Sequence, residues 1–142
     1  MQAAKRTDCF RGCLYFSVSR VYRHVDRLAS QAFRPTGLSP SHAFILMSLD
    51  REPEGLSPSE VARALELDPS TVNRLVATLV EQGLVESSRS GRQVNLTLLK
   101  KGAALLPEVR RCWAALGKAC RAAYGEDLSR RLGELAFRAA DE

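Results

Sequence analysis

What most constrains this chain is a pair of helix starts built to one design, Ser57-Pro58-Ser59-Glu60 and Asp68-Pro69-Ser70-Thr71. Ser57 suits a cap, Pro58 suits the first helical position, and Glu60 stands three after Ser57, which makes a capping box. Asp68 and Pro69 repeat the cap and the proline. The second start follows Leu67 at once, so the connection between the helices is short, as in a helix-turn-helix. In the second helix Val72, Leu75, Val76 and Leu79 form an apolar stripe at helical spacing. Gly83 stands where a left-handed residue ends a helix.

Beyond Gly83, Leu84-Val85-Glu86 and Val94-Asn95-Leu96-Thr97 read as two short strands, joined through Ser87-Ser88-Arg89-Ser90-Gly91-Arg92-Gln93. Gly91 allows the positive φ of a hairpin turn, and Arg89 and Arg92 are expected to project from its tip. The predicted fold class is therefore mostly α with a small β-wing, a winged helix-turn-helix. Ser70, Thr71, Asn73, Arg74 and Thr78 fall on or beside the polar side of the second helix. Arginine can bind guanine bidentately, asparagine can bind adenine, and hydroxyls can bond bases or phosphates. Basic side chains on a neighbouring wing can reach phosphates or a narrow minor groove. A solvated helix face carries similar residues, and turns attract Ser, Gly and Arg. It is the conjunction of helix and wing that points to double-stranded DNA.

Several stretches together resemble the multiple-antibiotic-resistance regulator (MarR) family. They are Thr36-Gly37-Leu38-Ser39-Pro40-Ser41, Leu56-Ser57-Pro58-Ser59-Glu60-Val61-Ala62, Asp68-Pro69-Ser70-Thr71-Val72-Asn73-Arg74-Leu75-Val76 and Glu81-Gln82-Gly83-Leu84-Val85. The resemblance extends over roughly residues 9 to 140. It implies a bacterial transcription factor, most often a repressor, acting as a homodimer on a pseudo-palindromic operator. At Leu98 the sequence departs from the proline usual in the family, which leaves the start of the following helix open.

A chain of 142 residues suits one domain with an oligomerisation element, here about 38–98 for the winged core and about 7–34 and 100–140 for dimerisation helices. No apolar run approaches the roughly 20 residues that span a bilayer, and Met1-Gln2-Ala3-Ala4-Lys5-Arg6 lacks the apolar core of a signal peptide, so the expected compartment is the cytoplasm. The net charge is +5, but residues 57–101 hold six Lys or Arg against five Asp or Glu. Bulk charge therefore contributes little, and positioned arginines must carry any DNA affinity. No nucleophile–base set, phosphate loop or metal cluster is visible, so neither an enzyme nor a cofactor is expected.

The first helix is expected from about Thr7 to Phe33, with Leu14, Val18, Val21, Val25, Leu28 and Ala32 as a heptad-like seam. After the wing, Leu106, Val109, Trp113, Leu116, Cys120 and Ala123 form another, and Leu128, Leu132, Leu135 and Ala139 a third beyond Gly125. Seams flanking the motif on both sides suit a homodimer, whose two-fold axis matches two operator half-sites. A monomeric bundle that buries them internally is the alternative.

Two sensor readings stand side by side. Cys9 and Cys13 are expected on one face of the first helical turns, where the dipole favours thiolate. The family resemblance implies oxidant sensing near Cys13, with Cys120 as a partner from a late helix; packing as small hydrophobes is the plainer role for the cysteines. Alternatively Cys13, Ser17, Arg20 and His24 form a line at steps of four, three and four that can bind a small aromatic or anionic effector, with Tyr22, Phe44 and Trp113 as apolar walls. A polar stripe bordering a helix seam accounts for the same residues. A winged-helix protein-interaction module without specific DNA binding is the competing functional class.

Overall fold

The computed structural model describes residues 8–141. Six α-helices and one hairpin follow in the order α1 (Leu14–Phe33), α2 (Pro40–Arg51), α3 (Pro58–Leu65), α4 (Pro69–Glu81), β1 (Val85–Ser90), β2 (Gln93–Leu98), α5 (Lys100–Tyr124) and α6 (Glu126–Ala140). This is the winged helix-turn-helix fold expected from the helix starts and the hairpin.

The capping box at Ser57 is present in full. The Ser57 N–H donates to Glu60 Oε2 at 2.7 Å, and the Glu60 N–H donates to Ser57 Oγ at 3.2 Å. These bonds favour the ionised carboxyl and hold its pKa below the ordinary 4.5. A depressed acid stabilises the fold above its unfolded-state value and loses that contribution as pH falls through the folded-state value. The advantage of the wild type over Glu60→Ala is thus expected to be full above about pH 4.5 and to fade below it, as urea denaturation across an acid series would record. Asp68 differs from Ser57. It occupies the cap position of α4, yet its side chain makes no capping bond, so that start rests on Pro69 and on tertiary packing.

Between α3 and α4 the chain turns through Glu66, at φ 51° and ψ 44°. Among the described residues it is the one non-glycine with positive φ. A side chain there is strained by roughly 1–2 kcal/mol, while the added chain freedom of glycine when unfolded offsets part of the relief. Glu66→Gly is expected to raise stability by about 0.5–1 kcal/mol, seen as a higher denaturation midpoint with an unchanged slope.

The main core joins Ile45, Leu46 and Leu49 of α2 to Val61 and Ala62 of α3, Val72, Val76 and Leu79 of α4, Val85 and Leu96 of the wing, and Leu106 of α5. A second cluster joins Phe33, Ala43, Val109 and Cys112, and so ties α1, α2 and α5 together. The apolar stripe of α4 is thus buried, and its polar side faces out. The hairpin strands run longer than expected, pairing Val85 with Leu98 through to Ser90 with Gln93. The loop is Gly91-Arg92 alone, with positive φ at Gly91 only, as in a type II′ turn. The polar run Ser87-Ser88-Arg89 has little strand propensity by itself; cross-strand pairing overrides it. Leu56 also bridges to Leu96, and Asn95 Nδ2 donates to the Glu54 carbonyl at 2.8 Å, which locks the wing to the α2–α3 connection.

The first helix departs from expectation. Its expected start at Thr7 lies outside the described residues. A 3-10 turn occupies Asp8–Phe10, Gly12 takes φ 92°, and α1 begins only at Leu14. Cys9 and Cys13 therefore do not share a helical face: Cys9 sits in the 3-10 turn, and Cys13 is the extended residue before α1.

Candidate nucleic-acid interface

On α4, Ser70, Asn73 and Arg74 are exposed, while Thr71 and Thr78 are half-buried. Arg74 Nη2 donates to Thr71 Oγ1 at 3.4 Å, a long bond that biases the guanidinium toward the start of the helix. Thr78 Oγ1 donates back to the Arg74 carbonyl at 3.3 Å, so its hydroxyl proton is turned toward its own helix. Ser70 and Asn73 make no side-chain hydrogen bond among the described residues and keep their full donor and acceptor capacity. The result is a short helix fixed from behind by buried aliphatic side chains and carrying one guanidinium, one amide and one hydroxyl outward.

Of the two arginines expected at the wing tip, only Arg92 is there. Arg89 lies within β1 opposite Val94, because the loop is two residues long. Sequence reasoning missed a further group. Ser57, Ser59, Arg63, Arg92 and Gln93 line an open groove of about 880 Å³ between α3 and the wing. Ser59 and Arg63 are four apart on the exposed side of α3, and that spacing was the signal available.

A second cavity, of about 610 Å³, lies between residues 8–12, α1 and the end of α5. It gathers Ser17, Arg20 and His24 as expected, with Phe10, Arg11, Phe16, Arg27 and Tyr124 added. The Tyr124 hydroxyl and His24 Nδ1 share a hydrogen bond of 2.7 Å, and their rings meet edge to face with centroids 5.3 Å apart. The expected walls are elsewhere. Phe44 packs edge to face against Phe33 in the second core cluster, Tyr22 is exposed on α1, and Trp113 stands 53% exposed on α5. Phe44 and Tyr22 belong to other sides of their helices, and Trp113 does not line the cavity.

Cys9 and Cys13 are exposed and Cys120 is half-buried; Cys112 is the buried one. Burial and the neighbouring Glu108 push the Cys112 thiol up, away from reactivity. Among the described residues no group of His, Cys, Asp and Glu could hold a metal ion, and no helix is long and apolar enough to cross a membrane.

Residues 36–93 match the model of the MarR family. The comparison with curated proteins gives no match. A MarR-family transcriptional regulator of Rhodococcus sp. RHA1 is 29% identical with a TM-score of 0.65, over 82% of each chain. CouR from Rhodococcus jostii RHA1, bound to p-coumaroyl-CoA, is 26% identical with a TM-score of 0.74, over 99% of this chain and 95% of that one. MepR of S. aureus, in complex with DNA, shares the fold at 15% identity with a TM-score of 0.75, over 90% of this chain and 96% of that one.

Proposed function

The chain belongs to the MarR family of winged-helix transcriptional regulators, and on that premise we propose that it is a repressor binding a pseudo-palindromic operator as a homodimer and released by a small anionic effector. Family membership makes it a DNA-binding regulator rather than an enzyme. The observation that carries the operator reading is the outward side of α4, with Ser70, Asn73 and Arg74 exposed above a buried stripe of Val72, Val76 and Leu79.

The dimer is supported by what a single copy leaves uncovered. On α1, Leu14 is 76% exposed and Tyr15 83%; on α6 no residue is buried, and Phe137 is 76% exposed. So many large apolar side chains on the two ends of one chain call for a second copy across a two-fold axis. The helices over 14–33 and 100–140 are then the dimerisation helices, and 38–98 the reading head.

In this reading Ser70, Asn73 and Arg74 read bases, with Thr71 positioning Arg74 and Thr78 steadying the helix. Arg92 reaches the backbone or the minor groove beside it, and Arg89 lies farther back along the wing. The cavity holding Ser17, Arg20 and His24 takes the effector. Oxidation at Cys9, Cys13 or Cys120 is the competing sensor, with Cys9 and Cys13 exposed and Cys120 half-buried. The p-coumaroyl-CoA bound to CouR, a relative by fold and sequence, supports an anionic ligand. An effector wedged between α1 and α5 shifts the balance between two spacings of the recognition helices. A few ångströms of change breaks register with sites about 34 Å apart.

The test is fluorescence anisotropy on a selected duplex. Arg92→Ala is expected to weaken matched and mismatched duplexes alike and to reduce the slope of log affinity against log salt by about 1. An unchanged affinity at moderate salt would favour a protein-interaction module instead.

A further inference from the structure

The effector cavity carries more positive charge than a simple aromatic acid requires. Arg11, Arg20 and Arg27 all line it. Ser17, Arg20, His24 and Arg27 recur at helical spacing, so α1 presents them on one side, and Arg11 closes from the segment before it. None of these three guanidiniums has an ion pair among the described residues, although Asp8 is on the same lining. Elsewhere among the described residues Arg110 is paired with Asp50, Arg121 with Glu126, and Arg130 with both Asp127 and Glu134. Three guanidiniums on one lining offer a single bound anion several charged donors.

Resting on the effector reading above, we propose that the cavity takes a phosphorylated polyanion joined to an apolar acyl or aromatic group. A monocarboxylate satisfies one guanidinium bidentately and leaves two uncompensated. Phosphates offer enough oxygens and charge for all three, and the planar fork of arginine suits them. The Tyr124 hydroxyl and His24 add hydrogen-bonding capacity at the α5 side. Phe10 and Phe16, with ring centroids 4.8 Å apart, supply the surface for the apolar part. Arg11 and Arg27 are thus assigned as phosphate-binding residues.

The experiment is calorimetric titration of the full chain with three probes at one ionic strength: p-coumarate, coenzyme A and p-coumaroyl-CoA. The thioester is expected to bind at least about tenfold more tightly than p-coumarate, and coenzyme A alone to bind measurably. Arg11→Ala and Arg27→Ala should each weaken the thioester about tenfold and leave p-coumarate unmoved. Operator affinity in the same variants, expected to match wild type, reports that they fold. Equal binding of p-coumarate and the thioester, or no binding of either CoA compound, overturns the proposal. So does loss of the dimer in Arg11→Ala or Arg27→Ala by sedimentation, which would assign these guanidiniums to carboxylates of a second copy. The underlying effector reading fails separately, if a probe releases operator equally from wild type and from Arg20→Ala.

Discussion

Gly102→Ala is expected to destabilise the protein by about 3 kcal/mol or more, at the upper end of what overpacking costs. An added Cβ would stand 2.2 Å from the Leu84 carbonyl oxygen and 2.8 Å from Leu98 Cδ1. The obstacle is backbone, so no rotamer change removes it. The close approach exists because α5 is seated on the chain leaving α4. The Leu99 N–H donates to the Leu84 carbonyl at 3.0 Å, and Lys101 Nζ donates to the Gln82 carbonyl at 2.8 Å. That lysine also places a cation at the C-terminal end of the recognition helix, where the helix dipole favours it. Gly102 is thus the joint between the reading head and the long stem, and its substitution should impair DNA affinity as well as thermal stability. Gly133→Ala is the control. Its Cβ meets nothing within 4 Å, so on exposed α6 it should be neutral or gain up to about 1 kcal/mol.

Arg74→Ala is the second large effect. A bidentate arginine–guanine pair contributes about 1–3 kcal/mol of discrimination, so operator affinity should fall roughly five- to 150-fold. Binding to unrelated duplexes should change much less, which separates a base reader from a phosphate contact, the role proposed for Arg92. Anisotropy on matched and scrambled duplexes at one salt concentration makes the comparison. Equal losses on both duplexes would place Arg74 on the backbone and move base reading to Asn73 and Ser70.

The reading head was legible because its signals are local. Ser57 with Glu60, Pro58, Pro69 and the left-handed Gly83 each act within one helical turn, so the sequence names the element boundaries directly. The wing was half legible: Gly91 marked the turn, but the polar residues Ser87 to Ser90 hid how far the ladder runs, and with it the place of Arg89. The start of α1 escaped because a single positive-φ residue, Gly12, interrupts an otherwise helix-compatible run, and that also separated Cys9 from Cys13. The cavity between α1 and α5 was least legible. His24 and Tyr124 meet across a sequence separation of 100 residues, and no pattern along α1 announces a partner on α5. Phe44 and Trp113 were aromatic and plausibly placed, but helix rotation and tertiary packing decide which side of α2 and α5 each one takes.

In the proposed two-fold reader one recognition helix serves each half-site, and selection of bound sequences from random duplexes by the purified chain tests this most directly. The expected result is an enriched inverted repeat whose half-site centres lie about 34 Å, or roughly one helical turn, apart. Enrichment of a single undivided site, or of no site at all, would contradict it.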